Sequence, residues 1–437
     1  MFVIPPPHDH AISIEAGPHG MAHSLRPPTR NRPQFEVADV VCQYGEAFLN
    51  RYGQTLNGGQ RRALRAIELC YTAALGGHKT RCHACGHEDL AYNPCRNRSC
   101  PKCHGVAQAA WLANRQREVL DTPYAHAIFT LPQDLSPLVL QNPHRLYGLL
   151  FRTVSQSLLD IASAPKHLGA EIGGMAVLHS WGGQLQHHPH LHVVLPAGGL
   201  ALDGSRWVPC RPDFFLPVRV LSRRFRKLYL EGLKHLYTQD QLTLAGRCRE
   251  LAGSKPWRRL LQTLRNQEWV VYAKAPERQS EHVLKYLSRY THRVAISNHR
   301  LVALQDGQVT FRFKDHKRGG KLRTQTLDAV EFLRRFCLHI LPKGLHKIRY
   351  FGFLANRHRD AKLAQCRALL GQREEALVTH VMAMDEDTSE PDSKAARIEP
   401  GDACPVCHQG RMQLVETYYR HRSAEDLSVA PPGYDSS

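Results

Sequence analysis

The sequence predicts an α+β or α/β layer architecture built in several parts, of which α+β is the one the later motifs favour. Three observations predict it. Apolar residues recur at helical spacing from Val37 to about Leu75. A cysteine-dense, loop-rich stretch runs from Arg81 to His104. Strand-like and helix-like segments then alternate between about residues 120 and 315.

In chain order, the first helical stretch is broken by Asn57-Gly58-Gly59 and fits two helices. After the cysteines, a helical run is expected from Ala107 to Leu120. His126-Ala127-Ile128-Phe129-Thr130-Leu131 has the β-branched and aromatic content of a strand and closes at Pro132. Helical spacing resumes from Leu138 to Ala164. Two further strands are expected at Met175–Trp181 and His190–Leu195, separated by the turn-like GGQLQHHP. Ser222 is placed as the cap of a basic amphipathic helix with Phe225, Leu228, Tyr229, Leu233 and Leu236 on one face. Trp269–Ala273 reads as a strand, and Pro276 with Glu277 as the opening of a helix to about Thr291. Strands near Arg300–Leu304 and Gln308–Lys314 are joined through Asp306-Gly307. Residues 1–35, rich in Pro, His and Gly, read as a disordered leader, and MDEDTSEPDSK (Met384–Lys394) reads as an acidic linker.

The chain carries 58 Lys plus Arg against 39 Asp plus Glu, a formal net charge of +19 over its 437 residues. That excess is spread along the chain, which points to a polyanionic partner, nucleic acid before membrane. No stretch approaches the roughly 20 apolar residues of a spanning helix. The segment MFVIPPPHDH has neither the basic nor the apolar region of a signal peptide. A cytoplasmic protein is therefore expected, and its 13 cysteines then point to metal or buried thiols instead of disulfides.

Cys82-His83-Ala84-Cys85 and Cys100-Pro101-Lys102-Cys103 are two CxxC pairs separated by fourteen residues. Each pair places two thiolates on a tight knuckle, and together they are expected to bind one structural Zn²⁺, with Cys95 and His104 as substitutes for one ligand. Lys79, Arg81, Arg96, Arg98 and Lys102 decorate the segment and suit contact with phosphates. Cys404 and Cys407 make only half a site, either completed by distant partners or a remnant.

In His190-Leu191-His192, two imidazoles two residues apart on a strand project from one face while Leu191 points to the core. If the strand containing His179 pairs with this one as a hairpin, His179 supplies a third nitrogen. His187, His188 and Gln186 are weaker candidates. Downstream, Tyr286 and Tyr290 stand at i and i+4, stacked on one helix face, with Lys285, Arg289, His292 and Arg293 offering positive charge. A phenol with a pKa of about 10 is a weak nucleophile near neutral pH. A divalent metal beside it offsets that weakness by polarising a phosphate for in-line attack.

Taken together, these features resemble the HUH-type, two-tyrosine rolling-circle transposases of the insertion sequence ninety-one family. The carrying segments are GGHKTRCHACGHEDLAYNPCRNRSCPKC, HAIFTLP, HSWGGQLQHHPHLHVVLPAGG, KYLSRYTHRVAISNHRL and RRFCLHILPKGLHKIRYFGFL. One departure is Ser99, where that family's pattern leads one to expect histidine. The resemblance implies a zinc-binding, DNA-contacting module over 36–115, then an HUH nuclease domain over 116–315 with an antiparallel sheet flanked by helices. A basic region over 316–375 and an acidic linker and tail over 376–437 would follow. It further implies Mg²⁺ or Mn²⁺ on His190 and His192, Tyr286 and Tyr290 as nucleophiles, and single-stranded DNA at transposon ends and target as substrate. The rival readings are a plasmid replication initiator or relaxase with the same chemistry, a zinc-dependent DNA-binding regulator without catalysis, and a metal-independent tyrosine recombinase.

Overall fold

The computed structural model describes residues 33–103, 118–277, 294–315, 319–371 and 398–420. α1 (Val37–Tyr52) and α2 (Gly58–Glu68) occupy the stretch of helical spacing. Each opens on a capping box, Glu36 with Asp39 and Asn57 with Gln60, so that side chains satisfy first-turn amides that have no helical acceptor. β1 (Gly77–Cys82) and β2 (Glu88–Tyr92) form a hairpin whose turn carries Cys85. Most of the helical run expected from Ala107 lies outside the described residues, as do the leader and the acidic linker.

β3 (Tyr124–Thr130) is followed by α3 (Ser136–Gln141) and α4 (Pro143–Ser163). Next come β4 (Ala170–Glu171), β5 (Gly173–Trp181), β6 (His187–Pro196), β7 (Gly198–Ala201) and β8 (Trp207–Pro209). α5 (Val218–Thr238), α6 (Ser254–Asn266) and β9 (Val271–Glu277) complete the described chain before residue 278. Beyond residue 293 come β10 (Leu301–Gln305), β11 (Gln308–Asp315), β12 (Lys321–Asp328) and α7 (Ala329–Cys337). β13 (Ile348–Gly352), α8 (Arg359–Leu370) and β14 (Met412–Tyr418) end the described chain.

The central sheet is five-stranded and antiparallel in the order β13-β5-β6-β3-β9. Because side chains alternate along a strand, its two faces differ. Ala176, Leu178, Leu191, Leu195 and Phe129 face α4, α5 and α6, and bury with Leu150, Val154, Phe225, Tyr229 and Leu264 in the first core. The opposite face carries the histidines. The α+β expectation therefore holds in its coarse form, mixed helices and antiparallel sheets.

A second core joins segments that are remote in sequence. Val37, Phe48, Leu64 and Ile67 of α1 and α2 share it with Phe311 of β11 and Phe332, Leu333 and Phe336 of α7, and with Leu185 from the β5–β6 turn. Asp306 and Gly307, both at positive φ (52° and 72°), close the β10–β11 hairpin as Asp-Gly turns do.

Two local expectations are corrected. α5 begins after Pro217, four residues before Ser222, so Ser222 caps nothing; its hydroxyl donates to the Trp269 carbonyl at 2.7 Å. Proline's fixed φ suits a helix entrance, and Leu221 and Leu230 are buried on that face where Leu228 is only half-buried. Pro276 and Glu277 are the last strand residues of β9, and the rest of the helix expected from them to about Thr291 lies outside the described residues. β9 is an edge strand, where a missing N–H costs no ladder bond.

Candidate metal centres and nucleic-acid interface

β5 and β6 pair so that His179 lies directly opposite His190. His192 follows on the same face of β6, and the ligand nitrogens of His179, His190 and His192 all lie within 4.8 Å of one another. Nε2 of His190 is 3.2 Å from Nε2 of His192. Three imidazoles at this spacing suit a cation with positions left open to substrate. His179 and His192 are buried and His190 is half-buried, so the cluster is reached by solvent at His190.

The outer nitrogens are committed. Nδ1–H of His190 donates to the His188 carbonyl at 2.8 Å, which leaves Nε2 of His190 as the lone-pair donor. Nδ1 of His192 meets Nε2 of His126 at 3.0 Å, and the two rings stack 5.2 Å apart, nearly parallel. His126 stands on β3, and burial pushes its pKa down to about 4, with Lys274 and His190 adding to the shift. It is therefore neutral near pH 7 and can accept the proton of His192. His179 is backed by Trp181, ring centroids 4.6 Å apart.

His187 plays no part in this cluster. It turns to the helices, where the hydroxyls of Ser136 and Tyr147 meet its two ring nitrogens (Tyr147 at 2.9 Å), and burial lowers its pKa to about 3. His188 contributes its carbonyl, and the Gln186 side chain accepts from the Gln184 amide.

The β5–β6 turn is gripped at three successive carbonyls. Arg300 donates to Gly183 at 2.6 Å, Arg335 to Gln184 at 3.2 Å, and Nε2 of His339 to Leu185 at 3.0 Å. Nδ1 of His339 is then left as acceptor for the Ser180 hydroxyl at 3.2 Å. The segment RRFCLHILPKG thus contains two of the three side chains that hold the turn of the histidine hairpin.

The cysteines depart from expectation. Cys82, Cys85, Cys100 and Cys103 are not one site; each CxxC pair belongs to a different cluster. Cys100 and Cys103 join Cys70 and Cys95, while Cys82 and Cys85 lie with Cys404 and Cys407. The reason is the β1–β2 hairpin, which carries the first knuckle away from the second core that holds Cys70, Cys100 and Cys103. Cys70–Cys103 and Cys95–Cys103 sulfur separations are 3.3 and 3.5 Å. Hydrogen bonds from Cys100, Cys70 and Cys95 hold Cys103 strongly toward thiolate. This donor set fits Zn²⁺, whose bonds to sulfur are about 2.3 Å. Cys70 follows α2 with no CxxC mate, so spacing alone did not reveal it; Cys95 was foreseen as a substitute.

Among the expected DNA-contacting cations, Arg96 is exposed. Arg98 donates to the carbonyls of Leu341, Pro342 and Leu345, and Lys102 pairs with Glu36 at 2.5 Å. Both thereby tie the cysteine segment to its neighbours. Lys285, Tyr286, Arg289, Tyr290 and Arg293 lie outside the described residues, as does His104. Tyr272 on β9, which was not foreseen, is exposed and stands two strands from His192 on the histidine face. No described helix is long and apolar enough to cross a membrane.

The comparisons with known proteins agree with this arrangement. Residues 40–131 match the family described as "Transposase zinc-binding domain", and residues 173–362 match the one described as "Putative transposase". The chain is 49% identical over 388 residues to "Putative transposase y4qJ" of Sinorhizobium fredii, covering 88% of this chain and 95% of that protein. It is 33% identical over 294 residues to "Transposase for insertion sequence element IS801" of Pseudomonas savastanoi pv. phaseolicola, covering 66% of this chain and 68% of that protein. No solved structure matches at a significant level. The chain belongs to the transposase family of insertion sequence ninety-one.

Proposed function

We propose that this transposase nicks and rejoins single-stranded DNA at insertion-sequence ends through a 5′-phosphotyrosine on Tyr286 or Tyr290. The observation that carries the reading is the histidine triad, three converging imidazoles on one face of the central sheet. His179, His190 and His192 would hold Mg²⁺ or Mn²⁺. When bound there, such an ion supplies Lewis-acid polarisation of the scissile phosphate. The flanks of the tyrosine segment support the pairing. The described chain leaves the sheet at Glu277, opposite Tyr124, and resumes at residue 294, where Ala295 and Ile296 share a core with Leu185 at the other end of the histidine face.

The proposed step is a phosphoryl transfer. A tyrosine Oη gives up its proton and attacks phosphorus, the P–O3′ bond breaks, and the departing 3′ oxygen takes up a proton, so the step is proton-neutral overall. The phosphotyrosine ester keeps the bond available for rejoining to a later 3′-OH. A second tyrosine permits two successive transfers. Arg96, Lys285, Arg289 and Arg293 are assigned to backbone phosphates, and exposed Tyr272 offers a face for base stacking. Arg98 and Lys102, engaged within the fold, act by holding the cysteine segment in place.

The test uses labelled single-stranded terminal DNA with Mg²⁺. A denaturation-resistant protein–DNA adduct is expected, abolished by EDTA and by Tyr286→Phe combined with Tyr290→Phe. An adduct formed by that double variant overturns the assignment. An adduct that persists without metal favours recombinase chemistry instead.

A further inference from the structure

We propose that Cys82, Cys85, Cys404 and Cys407 bind a second zinc ion, which clasps the C-terminal ribbon to β1. The two knuckles are more than 300 residues apart in sequence, yet Cys82 and Cys407 sulfurs lie 3.7 Å apart and Cys85 and Cys404 sulfurs 3.6 Å. Tetrahedral zinc with bonds of about 2.3 Å separates its sulfurs by about 3.8 Å. All four sulfurs lie within 4.8 Å of one another.

The backbone is shaped for thiolates at both knuckles. The amides of Ala84, Val406 and Gly410 each point at a sulfur, of Cys82, Cys404 and Cys407 respectively, at 3.4 Å. Each knuckle ends in a left-handed residue, Gly86 at φ 75° and His408 at φ 56°. Each also closes through one backbone bond of 2.8 Å, Cys82 N–H to His87 and Cys404 N–H to Gly410. The two loops are thus near copies of one another. At Gly410 a Cβ would collide with Cys82 Sγ, so only glycine lets the second loop close on the first.

Packing alone does not account for the docking. The ribbon's apolar core is Cys82, Cys404 and Met412, with Ile398 and Cys407 at its edge. Every residue of β14 after Met412 is exposed, although β14 pairs with β1 over six positions, Cys82 opposite Met412 among them. A core this small falls short of what holds a ribbon without a metal or cross-link. The matched zinc-binding region ends at residue 131, so half of this donor set lies outside it.

The test is metal content of the full-length chain, by native mass spectrometry after purification under reducing conditions. Two zinc ions per chain are expected in the wild type and one in Cys404→Ser/Cys407→Ser, with Cys42→Ser keeping two. The double variant should also expose the 398–420 segment to limited proteolysis at least tenfold faster, while the rest of the chain stays protected. One zinc in the wild type overturns the proposal, as does retention of two in the double variant. A wild-type mass showing Cys82 and Cys85 oxidised to Cys407 and Cys404 overturns it in favour of disulfides. Cobalt substitution supplies an independent readout: thiolate-to-metal absorption should fall by about half in the double variant.

Discussion

His192 shows how one ring is prepared for a metal. Its Nε2 faces His190 and its Nδ1 faces His126, so a neutral His192 places its proton on the second nitrogen and its lone pair on the first. His126→Ala should weaken Mn²⁺ binding by about 10- to 100-fold, the usual cost of losing a ligand's hydrogen-bond partner. Calorimetric titration of Mn²⁺ checks this, with thermal unfolding as control; an unchanged affinity in a folded variant refutes the role. His190 and His192 were legible because strand period alone puts them on one face, and His179 because a hairpin puts it opposite. His126 was not, since its strand was read for apolar content and nothing local ties it to a residue 66 positions away. Cys70 was hidden for the same reason: its partners are set by how α2 docks, which no spacing records.

At the scale of elements, the histidine cluster is one hairpin held at its turn. Arg300, Arg335 and His339 each satisfy one carbonyl of residues 183–185, and the last of these, at Leu185, is buried, so the turn cannot shift without stranding it. His339→Phe keeps the ring's volume but leaves the Leu185 carbonyl and the Ser180 hydroxyl without their partner. A loss of about 1–3 kcal/mol in urea unfolding is expected, together with weaker Mn²⁺ binding. A stability loss with unchanged Mn²⁺ affinity means that His339 supports the fold and not the site. The turn was legible in the first five residues of GGQLQHHP, as were the strands on either side, although His187, His188 and Pro189 belong to β6. The grip was not, because it depends on α7 and on residues more than a hundred positions downstream. β9 ran past its expected end for a related reason: at a sheet edge proline is harmless, and edge position is a tertiary fact.

For the whole molecule, sequence order and spatial order part company. The alternation of strands and helices was readable from hydrophobic period, and the antiparallel central sheet only from the resemblance. The second core was not, because it joins α1 and α2 to β11 and α7 across some 260 residues, as Val37 N–H donating to Asn298 at 3.0 Å illustrates. The N-terminal helices are therefore part of the enzyme's body as well as carriers of cysteines. A chain beginning at residue 118 would expose Phe311, Phe332 and Phe336, which are now buried. It should aggregate or lose cooperative unfolding in calorimetry; a soluble, cooperatively folded 118–420 fragment would contradict the shared core.

Leu185 gives that dependence a direction. It sits in the β5–β6 turn at φ 58°, a left-handed conformation costing a leucine on the order of 1–2 kcal/mol, yet its side chain is fully buried in the second core. Burial of about 2 kcal/mol offsets that cost only while α1, α2 and α7 are packed around it. If they loosen, the turn relaxes toward right-handed geometry. His190, five residues after Leu185 and the nearest of the three cluster histidines, then loses its place opposite His179. The hairpin thus works as a latch: the three histidines are brought together only in a chain whose residues 37–68 and 329–337 have already packed against each other.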